Sequence, residues 1–253
     1  MNLLNLLFPQ GLYCVSCGRP LPWTEGCDAA LCVRCAEEIV WITRRRCQKC
    51  GRQLSGENPS DLCHSCAKTD RQYFTKGYAC ALYEGRTAEI IRDMKYRDKP
   101  WYADTIAALM ADRYLAEADP ATGELPDYDY ITAVPMTAKK RAFRGYDQAM
   151  LLARGFSLRI GVPYLSKALY RIRETGAMSG LSEENRRQNL AGAFSVGYDI
   201  IQKIANKHIL LVDDVFTTGS SVNACAETLI SAGAADVNVF VFAIGADSRR
   251  HEA

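Results

Sequence analysis

The sequence predicts an α/β protein in which a parallel sheet with crossover helices follows a small cysteine-rich segment. From about Gly77 onward, strand-like and helix-like segments alternate along the chain, which is typical of a parallel sheet. The run Ile209–Val212 consists of four apolar residues, as expected of a strand that is buried on both faces of such a sheet. Nine of the 11 cysteines lie between Cys14 and Cys66, in a region with little regular hydrophobic periodicity.

Apolar periodicity and glycine punctuation place the elements of the sheet-forming part. We predict strands at Gly77–Tyr83, Tyr130–Pro135, Pro163–Leu169, His208–Asp213 and Val237–Ile244. We predict helices at Thr87–Arg97, Trp101–Ala118, Gln148–Ile160 and Ser221–Ala232, the last stopped by Gly233. Residues 173–192 carry glycine, serine, asparagine and many charges, which indicates a long loop with some helix around Glu183–Asn189.

A chain of 253 residues has room for two domains, which we place at residues 1–72 and 73–253. The 31 basic and 29 acidic residues nearly balance, so a polycationic chain is excluded and any nucleic-acid surface must be local. The apolar start Met1–Pro9 lacks the basic region and cleavage site of a signal peptide. We interpret it as a short helix that covers the core, with a membrane-surface contact as the alternative. With no export signal and no apolar run long enough to span a bilayer, we expect a cytoplasmic protein.

The cysteines are arranged as metal ligands. Two thiolates spaced by two residues can both face one metal from a tight turn, and two such pairs complete the tetrahedral Cys₄ site that zinc prefers. In a reducing cytoplasm, paired cysteines indicate metal rather than disulfides, with redox dithiols or loose thiols as the alternative. Closed sites of this kind are structural, because the metal substitutes for a core that a small segment cannot build. Eight cysteines form four such pairs: Cys14/Cys17, Cys32/Cys35, Cys47/Cys50 and Cys63/Cys66.

An internal repeat favours two sequential zinc sites over interleaved ones. The segment Cys14–Leu21 (CVSCGRPL) matches Cys47–Leu54 (CQKCGRQL) at an offset of 33 residues, and each copy is followed by a further pair. Cys27 and His64 are left as spare ligands. The predicted sites are Cys14, Cys17, Cys32 and Cys35, then Cys47, Cys50, Cys63 and Cys66.

A candidate phosphate-binding loop follows the most apolar strand. Asp213 and Asp214 follow the buried strand, which we expect to end near Val212, and Thr217–Ser221 (TTGSS) opens a helix. Glycine permits close backbone approach, the helix N-terminus favours an anion, and the hydroxyl groups donate further hydrogen bonds. The carboxylates can accept hydrogen bonds from the two hydroxyls of a ribose. The alternative is a plain strand–turn–helix, but two acids directly after a buried strand are costly without partners.

The segment Ile209–Ser221 (ILLVDDVFTTGSS) resembles the 13-residue signature of type I phosphoribosyltransferases, which bind phosphoribosyl pyrophosphate (PRPP). Further motifs follow the cysteine repeat in order along the chain: Lys95–Arg97, Val134-Pro135, Arg144–Gln148, Leu181-Ser182, Asn185–Arg187 and Asn189–Phe194. Together with the repeat and the loop, this order resembles the ComF family over nearly the whole chain. The resemblance implies a double zinc ribbon joined to a phosphoribosyltransferase domain. Members of that family are associated with competence, DNA uptake and natural transformation.

The resemblance implies roles for particular residues. Asp213 and Asp214 would bind the ribose hydroxyls, and Thr217, Thr218, Gly219, Ser220 and Ser221 the 5′-phosphate. The stretch Val134–Lys139 occupies the place of the pyrophosphate loop. Two positions depart from the family pattern: Asp147 stands where asparagine is usual, and Met178 where glutamine is frequent. The cations expected to hold the leaving pyrophosphate are Lys95, Lys139 and Arg144, with Lys140 and Arg141 beside them.

A local basic segment supplies a second candidate surface. Residues 139–187 contain 11 basic and 4 acidic residues, a net charge of +7, which suits pyrophosphate or single-stranded DNA. Phe143, Tyr146, Tyr164 and Tyr170 are interleaved aromatic residues that could stack on bases. The alternative is a solvated face with its aromatic residues in the core.

Together these features predict a ComF-like protein that binds PRPP with Mg²⁺ and single-stranded DNA, beside a DNA-translocating helicase, in DNA uptake and transformation. The first alternative is an active phosphoribosyltransferase of nucleotide metabolism, in which a base nitrogen attacks the anomeric carbon as pyrophosphate leaves. A regulator that dimerises on nucleotide binding is a third reading. The sequence identifies neither a general base nor an acceptor pocket, so turnover is left open.

Overall fold

A parallel sheet organises the protein. The computed structural model describes residues 13–21, 30–43, 45–54, 60–69, 71–118, 121–173 and 190–246. Its main sheet contains β1 (Gly77–Leu82), β2 (Tyr130–Ala133), β5 (His208–Phe216) and β6 (Asp236–Ile244). The strands are all parallel, in the order β1-β6-β5-β2, and β3 (Leu169–Arg171) pairs with β4 (Phe194–Val196) in a separate two-stranded antiparallel sheet. The predicted α/β class is confirmed.

Helices connect the strands, and the long ones lie where apolar periodicity predicts them. None of the described helices has the length and hydropathy needed to span a bilayer. Two seven-residue helices, α5 (Ala138–Arg144) and α7 (Tyr198–Ile204), were not predicted, because α5 buries none of its residues and α7 buries only two. The helices are α1 (Val33–Glu37), α2 (His64–Lys68), α3 (Gly85–Tyr96), α4 (Tyr102–Leu115), α5 (Ala138–Arg144), α6 (Gln148–Ile160), α7 (Tyr198–Ile204) and α8 (Ser220–Ser231).

Two strand predictions differ from the structure. The strand predicted over Pro163–Leu169 is wrong, because only Tyr164 bridges β2 and the chain turns at Lys167, where φ is +56°. Strand β5 continues past Asp213 to Phe216, because β6 pairs with it along its full length. Asp213 and Asp214 therefore lie inside the last residues of β5 rather than after the strand.

The cysteine repeat folds as two similar turns. An isolated bridge joins Tyr13 to Pro20 in the first copy, and its counterpart joins Arg46 to Gln53 in the second. Helix α1 begins directly after Cys32, and α2 directly after Cys63. The predictions for Met1–Pro9, Cys27 and the helix around Glu183–Asn189 lie outside the described residues.

Two hydrophobic clusters cover the two faces of the sheet, and each includes one cysteine group. Alternate strand residues point to opposite faces, so Val239 lies in one cluster and Phe240 in the other. The first cysteine group contributes Cys14 and Cys35 to the Phe240 side. The second contributes all four of its cysteines to the Val239 side. Both clusters thus contain residues from either side of position 72, and the division into domains there stays a prediction.

Candidate functional site

Two carboxylates and a lysine meet at the carboxyl end of β5. Asp214 is 6% exposed, and its Oδ2 lies 2.7 Å from the Nζ of Lys95, which extends from α3. Asp213 is half-buried, and its Oδ1 accepts the backbone N–H of Asp214 at 2.8 Å. This end of the strand is where open α/β sheets bind their ligands.

The electrostatics of this group are those of a site prepared for a polar ligand. Burial raises the pKa of Asp213 well above its usual range, and repulsion from Asp214 adds to the shift. Burial by itself lowers the pKa of Lys95, but attraction to Asp214 more than offsets it, so the pKa is raised. Lys95 therefore stays charged and compensates one of the two adjacent acids.

The backbone of the predicted phosphate loop depends on a glycine at position 219. Gly219 has a φ of +78°, and a Cβ there would lie 2.2 Å from the ring of Phe216. Only glycine meets both demands, since other residues rarely adopt this conformation. The Oγ1 of Thr218 lies 2.9 Å from the Oγ of Ser220, where α8 begins, so hydroxyl groups cluster at a helix N-terminus.

Cations converge beside the acids. Desolvation lowers the pKa of Lys140, although the residue reaches the surface, and the positive charges of Arg171, Arg144 and Lys95 lower it further. Lys140 therefore lies within electrostatic range of these three cations. A polyanion placed among them would relieve the repulsion.

The predicted pyrophosphate loop is braced by Asp147. Its Oδ2 accepts the backbone N–H of Met136, and its Oδ1 accepts that of Met150 in the first turn of α6, both at 3.2 Å. The side chain is 5% exposed, and burial raises its pKa. An asparagine, as the family pattern has it, could keep only one of these two bonds through its single acceptor oxygen.

The predicted catalytic residues are placed differently from one another. Lys95 contacts Asp214 directly. Arg144 donates to Gln148 Oε1 at 3.0 Å and lies 4.8 Å over the ring of Tyr96, while Lys139 is exposed on α5. Their roles stay predictions.

The four interleaved aromatic residues divide into two groups. Phe143 is 86% exposed and Tyr170 is 42% exposed. Tyr146 instead donates its hydroxyl to the carbonyl of Met94, and Tyr164 is partly buried against the core. Two of the four are therefore available to stack on a ligand.

Each predicted set of four cysteines forms a separate cluster whose sulfurs all lie within 4.8 Å of one another. The Sγ atoms of Cys17 and Cys32 are 3.8 Å apart, and those of Cys50 and Cys63 are 3.6 Å apart. A tetrahedron with Zn–S bonds of about 2.3 Å has edges of about 3.8 Å, so the spacing fits zinc. The backbone N–H of Arg19 lowers the pKa of the Cys17 thiol to about 7, which favours the thiolate form that binds metal.

Sequence reasoning did not predict that Arg52 contacts the phosphate loop. Its side chain is 4% exposed, and it donates to the carbonyl of Thr217 at 2.9 Å. The signal was the Cys-Gly-Arg triplet of the repeat, but the first copy has the same triplet with an exposed arginine, Arg19. The sequence alone therefore does not distinguish them.

Comparison with known proteins matches both parts of the chain. A double zinc ribbon domain model matches residues 3–67, and a phosphoribosyl transferase domain model matches residues 143–253. Competence protein F of Haemophilus influenzae is 30% identical over 83% of this chain and 88% of that protein. DNA utilization protein YhgH of Salmonella typhi is 28% identical over 90% of this chain and 94% of that protein. A glutamine PRPP amidotransferase structure from B. subtilis aligns with 55% of this chain and 27% of that chain, at 23% identity and a TM-score of 0.34.

The class of protein follows from these domain matches and the geometry: a phosphoribosyltransferase fold that carries a double zinc ribbon. Within that class, the identity to Competence protein F over most of both chains shows the family. The chain belongs to the ComF family, which confirms the resemblance found in the sequence.

Proposed function

We propose that this protein binds PRPP with Mg²⁺ at the β5–α8 loop, and single-stranded DNA on the basic face of α5. In this role it would act in DNA uptake and transformation. The observation that carries the proposal is the loop itself, with Asp213, Asp214 and Lys95 on one side and Thr217–Ser221 on the other. The names of its relatives, which refer to competence and DNA utilization, support the biological setting.

Each part of PRPP has chemical partners in this arrangement. The backbone and hydroxyls of Thr217–Ser221 suit the 5′-phosphate, and the carboxylates of Asp213 and Asp214 suit the ribose hydroxyls. The diphosphate would face Lys95, Lys140 and the segment braced by Asp147. Mg²⁺ takes oxygen ligands and would enter with the diphosphate, whose charge it partly neutralises.

The α5 surface has the composition of a single-strand binding face. Every residue from Ala138 to Phe143 is exposed, including three consecutive cations, Lys139, Lys140 and Arg141. Exposed aromatic rings stack on bases while cations follow the phosphates, and neither contact requires a particular sequence. The exposed ring of Phe143 would therefore stack on a base under this proposal, whereas it contributes little to the hydrophobic core.

Anisotropy titration of a fluorescent oligothymidylate tests the DNA part. We expect Phe143→Ala to weaken binding by roughly 5- to 150-fold, because a stacked base contributes about 1–3 kcal/mol. Tyr198→Ala is the matched control, because that ring is 92% exposed but lies outside the basic segment. The double variant Lys139→Gln, Arg141→Gln should reduce the logarithmic salt slope by about 1.4, at about 0.7 per phosphate contact. Equal affinities of the Phe143 and Tyr198 variants would contradict a DNA face on α5.

An active phosphoribosyltransferase is the second candidate, favoured by the cations that converge where pyrophosphate would leave. In that reaction a base nitrogen forms a bond to the anomeric carbon as the bond to the pyrophosphate oxygen breaks, and the cations stabilise the leaving group. Release of pyrophosphate on adding purine or pyrimidine bases to protein with PRPP and Mg²⁺ would establish turnover. A change in DNA affinity on adding PRPP, without pyrophosphate release, would favour the binding function.

A further inference from the structure

The second cysteine group is connected to the phosphate loop by a buried arginine. The guanidinium of Arg52 donates to the carbonyls of Thr217 at 2.9 Å and Ala246 at 2.6 Å, and also to that of Gly245. Gly245 in turn donates its N–H to the carbonyl of Phe216 at 3.1 Å. One side chain thus fixes the backbone at the start of the loop and the chain that leaves β6.

The turn that carries Arg52 is the cysteine turn itself. Cys47 donates its N–H to the carbonyl of Arg52 at 2.7 Å, and Gly51 donates to the carbonyl of Cys47 at 3.0 Å. The turn is pressed against the start of β1: Gly77 donates to the carbonyl of Lys49 at 2.7 Å, and a Cβ at Gly51 would lie 2.6 Å from the Gly77 oxygen. A change in the metal geometry of Cys47 and Cys50 would therefore displace Arg52.

Ring contacts form a second connection between the second cysteine group and the loop, in addition to Arg52. The Nζ of Lys49, between Cys47 and Cys50, lies 5.3 Å over the ring of Phe74. That ring meets the ring of Phe216 edge-on, with centroids 6.1 Å apart, and Phe216 is the residue that leaves room only for glycine at position 219. The loop thus has two separate connections to the second cysteine group.

The first copy of the repeat provides an internal comparison. Its turn has the same backbone bonds, from Cys14 to the carbonyl of Arg19 at 2.7 Å and from Gly18 to the carbonyl of Cys14 at 2.8 Å. A Cβ at Gly18, however, would meet nothing within 4 Å, and the side chain of Arg19 is exposed. Arg19 and Arg52 therefore occupy the same local turn, but only the side chain of Arg52 is buried and contacts the loop.

We propose that Arg52 is a positioning residue for the phosphate loop, and that it links zinc in the second site to the phosphorylated ribose in the loop. The link to a ligand rests on the proposed function, whereas the positioning of the loop does not. Thermodynamic coupling is reciprocal, so if the second zinc strengthens ligand binding by the loop, the ligand must strengthen binding of the second zinc by the same factor. Zinc in the first site has no such effect, because its arginine does not contact the loop.

Amide hydrogen exchange of the peptide that covers residues 213–222 tests the positioning directly. We expect Arg52→Gln to speed exchange in this peptide about 10-fold or more, since a hydrogen bond from a charged donor contributes about 1.5–3 kcal/mol. Arg19→Gln is the matched control and should leave the peptide unchanged. Arg52→Lys keeps the charge but loses the planar fork, so an intermediate rate is expected, and it serves if the glutamine variant does not fold. Equal exchange in the Arg52 and Arg19 variants, with both zinc ions retained, would overturn the positioning role.

Equilibrium competition for zinc with a chromogenic chelator tests the linkage, in a Cys17→Ser background that isolates the second site. We expect PRPP with Mg²⁺ to tighten zinc binding several-fold, and Arg52→Gln to abolish this effect. If PRPP binds without affecting zinc affinity, the linkage is wrong while the proposed function stands. If PRPP does not bind the wild type, the proposed function and the linkage both fail, and the exchange experiment still decides the positioning role.

Discussion

At the scale of single residues, the adjacent carboxylates of Asp213 and Asp214 are electrostatically unfavourable to the fold. Asp214 is compensated by the ion pair with Lys95, while Asp213 has only partial compensation and a raised pKa. A charged carboxylate that is buried with only partial compensation destabilises the fold. A ligand that donates hydrogen bonds to it stabilises the charge. This is the expected trade between stability and function at a binding site.

The pH dependence of stability reports this cost at Asp213. Its pKa in the folded protein lies above the ordinary value of 3.8, so the free energy of unfolding falls as pH rises from about 3.8 through the raised pKa. Asp213→Asn keeps an oxygen for the Asp214 N–H and removes the charge. We therefore expect the variant to melt higher than the wild type at pH 7–8, at about 2–4 °C per kcal/mol for a protein of this size.

Thermal melts between pH 5 and 8 measure this difference, with Asp112→Asn on the exposed face of α4 as the control. The melting difference for Asp213→Asn should grow with pH, whereas that for the control should stay flat. If Asp213→Asn melts lower than the wild type at every pH, the charge of Asp213 does not destabilise the fold.

At the scale of elements, the strand–loop–helix unit of the site depends on one glycine. A side chain at position 219 would take a left-handed conformation and would collide with the Phe216 ring, which is packed on Phe74. The ring cannot move without disturbing the core on that face. The loop shape is therefore fixed by packing beneath it as well as by its own sequence.

Substitution of glycine by alanine separates these two causes. We expect Gly161→Ala, which has a φ of +74° and open space around its Cβ, to cost only the left-handed conformation, about 1–2 kcal/mol. Gly219→Ala, at a φ of +78°, should cost clearly more, because it must also displace Phe216, and it should abolish PRPP binding. Urea unfolding of both variants measures the difference, and equal losses of stability would refute the packing argument.

Most elements of the site were predictable because their signals are local. The helix Gln148–Ile160 was predicted with its observed bounds, and the phosphate loop by its run of residues after an apolar strand. The position of Arg52 was not predictable, because the contact with Thr217 joins residues far apart in sequence and the same triplet in the first copy is exposed. The pairing of Leu169–Arg171 with Phe194–Val196 was missed because the two segments lie far apart in the sequence.

At the scale of the whole molecule, the two cysteine groups are not equivalent. All four cysteines of the second group are buried in a hydrophobic cluster with the sheet, whereas Cys17 of the first is exposed. We propose that the second zinc completes the core on its face of the sheet, in addition to stabilising its own turn. The first would mainly stabilise the segment around itself.

Loss of one ligand from each group measures this asymmetry. We expect Cys63→Ser to lower the stability of the entire fold by several kcal/mol, since it breaks a metal site and leaves polar groups buried in the core. Cys17→Ser should lose the first zinc with a much smaller effect on the main unfolding transition. Zinc content and denaturant unfolding of the two variants provide the comparison, and equal destabilisation would contradict it.

The central claim, that the β5–α8 loop is a working PRPP site, is tested most directly by calorimetric titration of zinc-loaded protein with PRPP and Mg²⁺. Asp214→Asn is titrated beside it, because it removes the negative charge that pairs with Lys95 but keeps the side-chain shape. We predict saturable binding by the wild type, greatly weakened in the variant. No binding by the wild type, or equal binding by both proteins, would contradict the claim that these acids and this loop form the site.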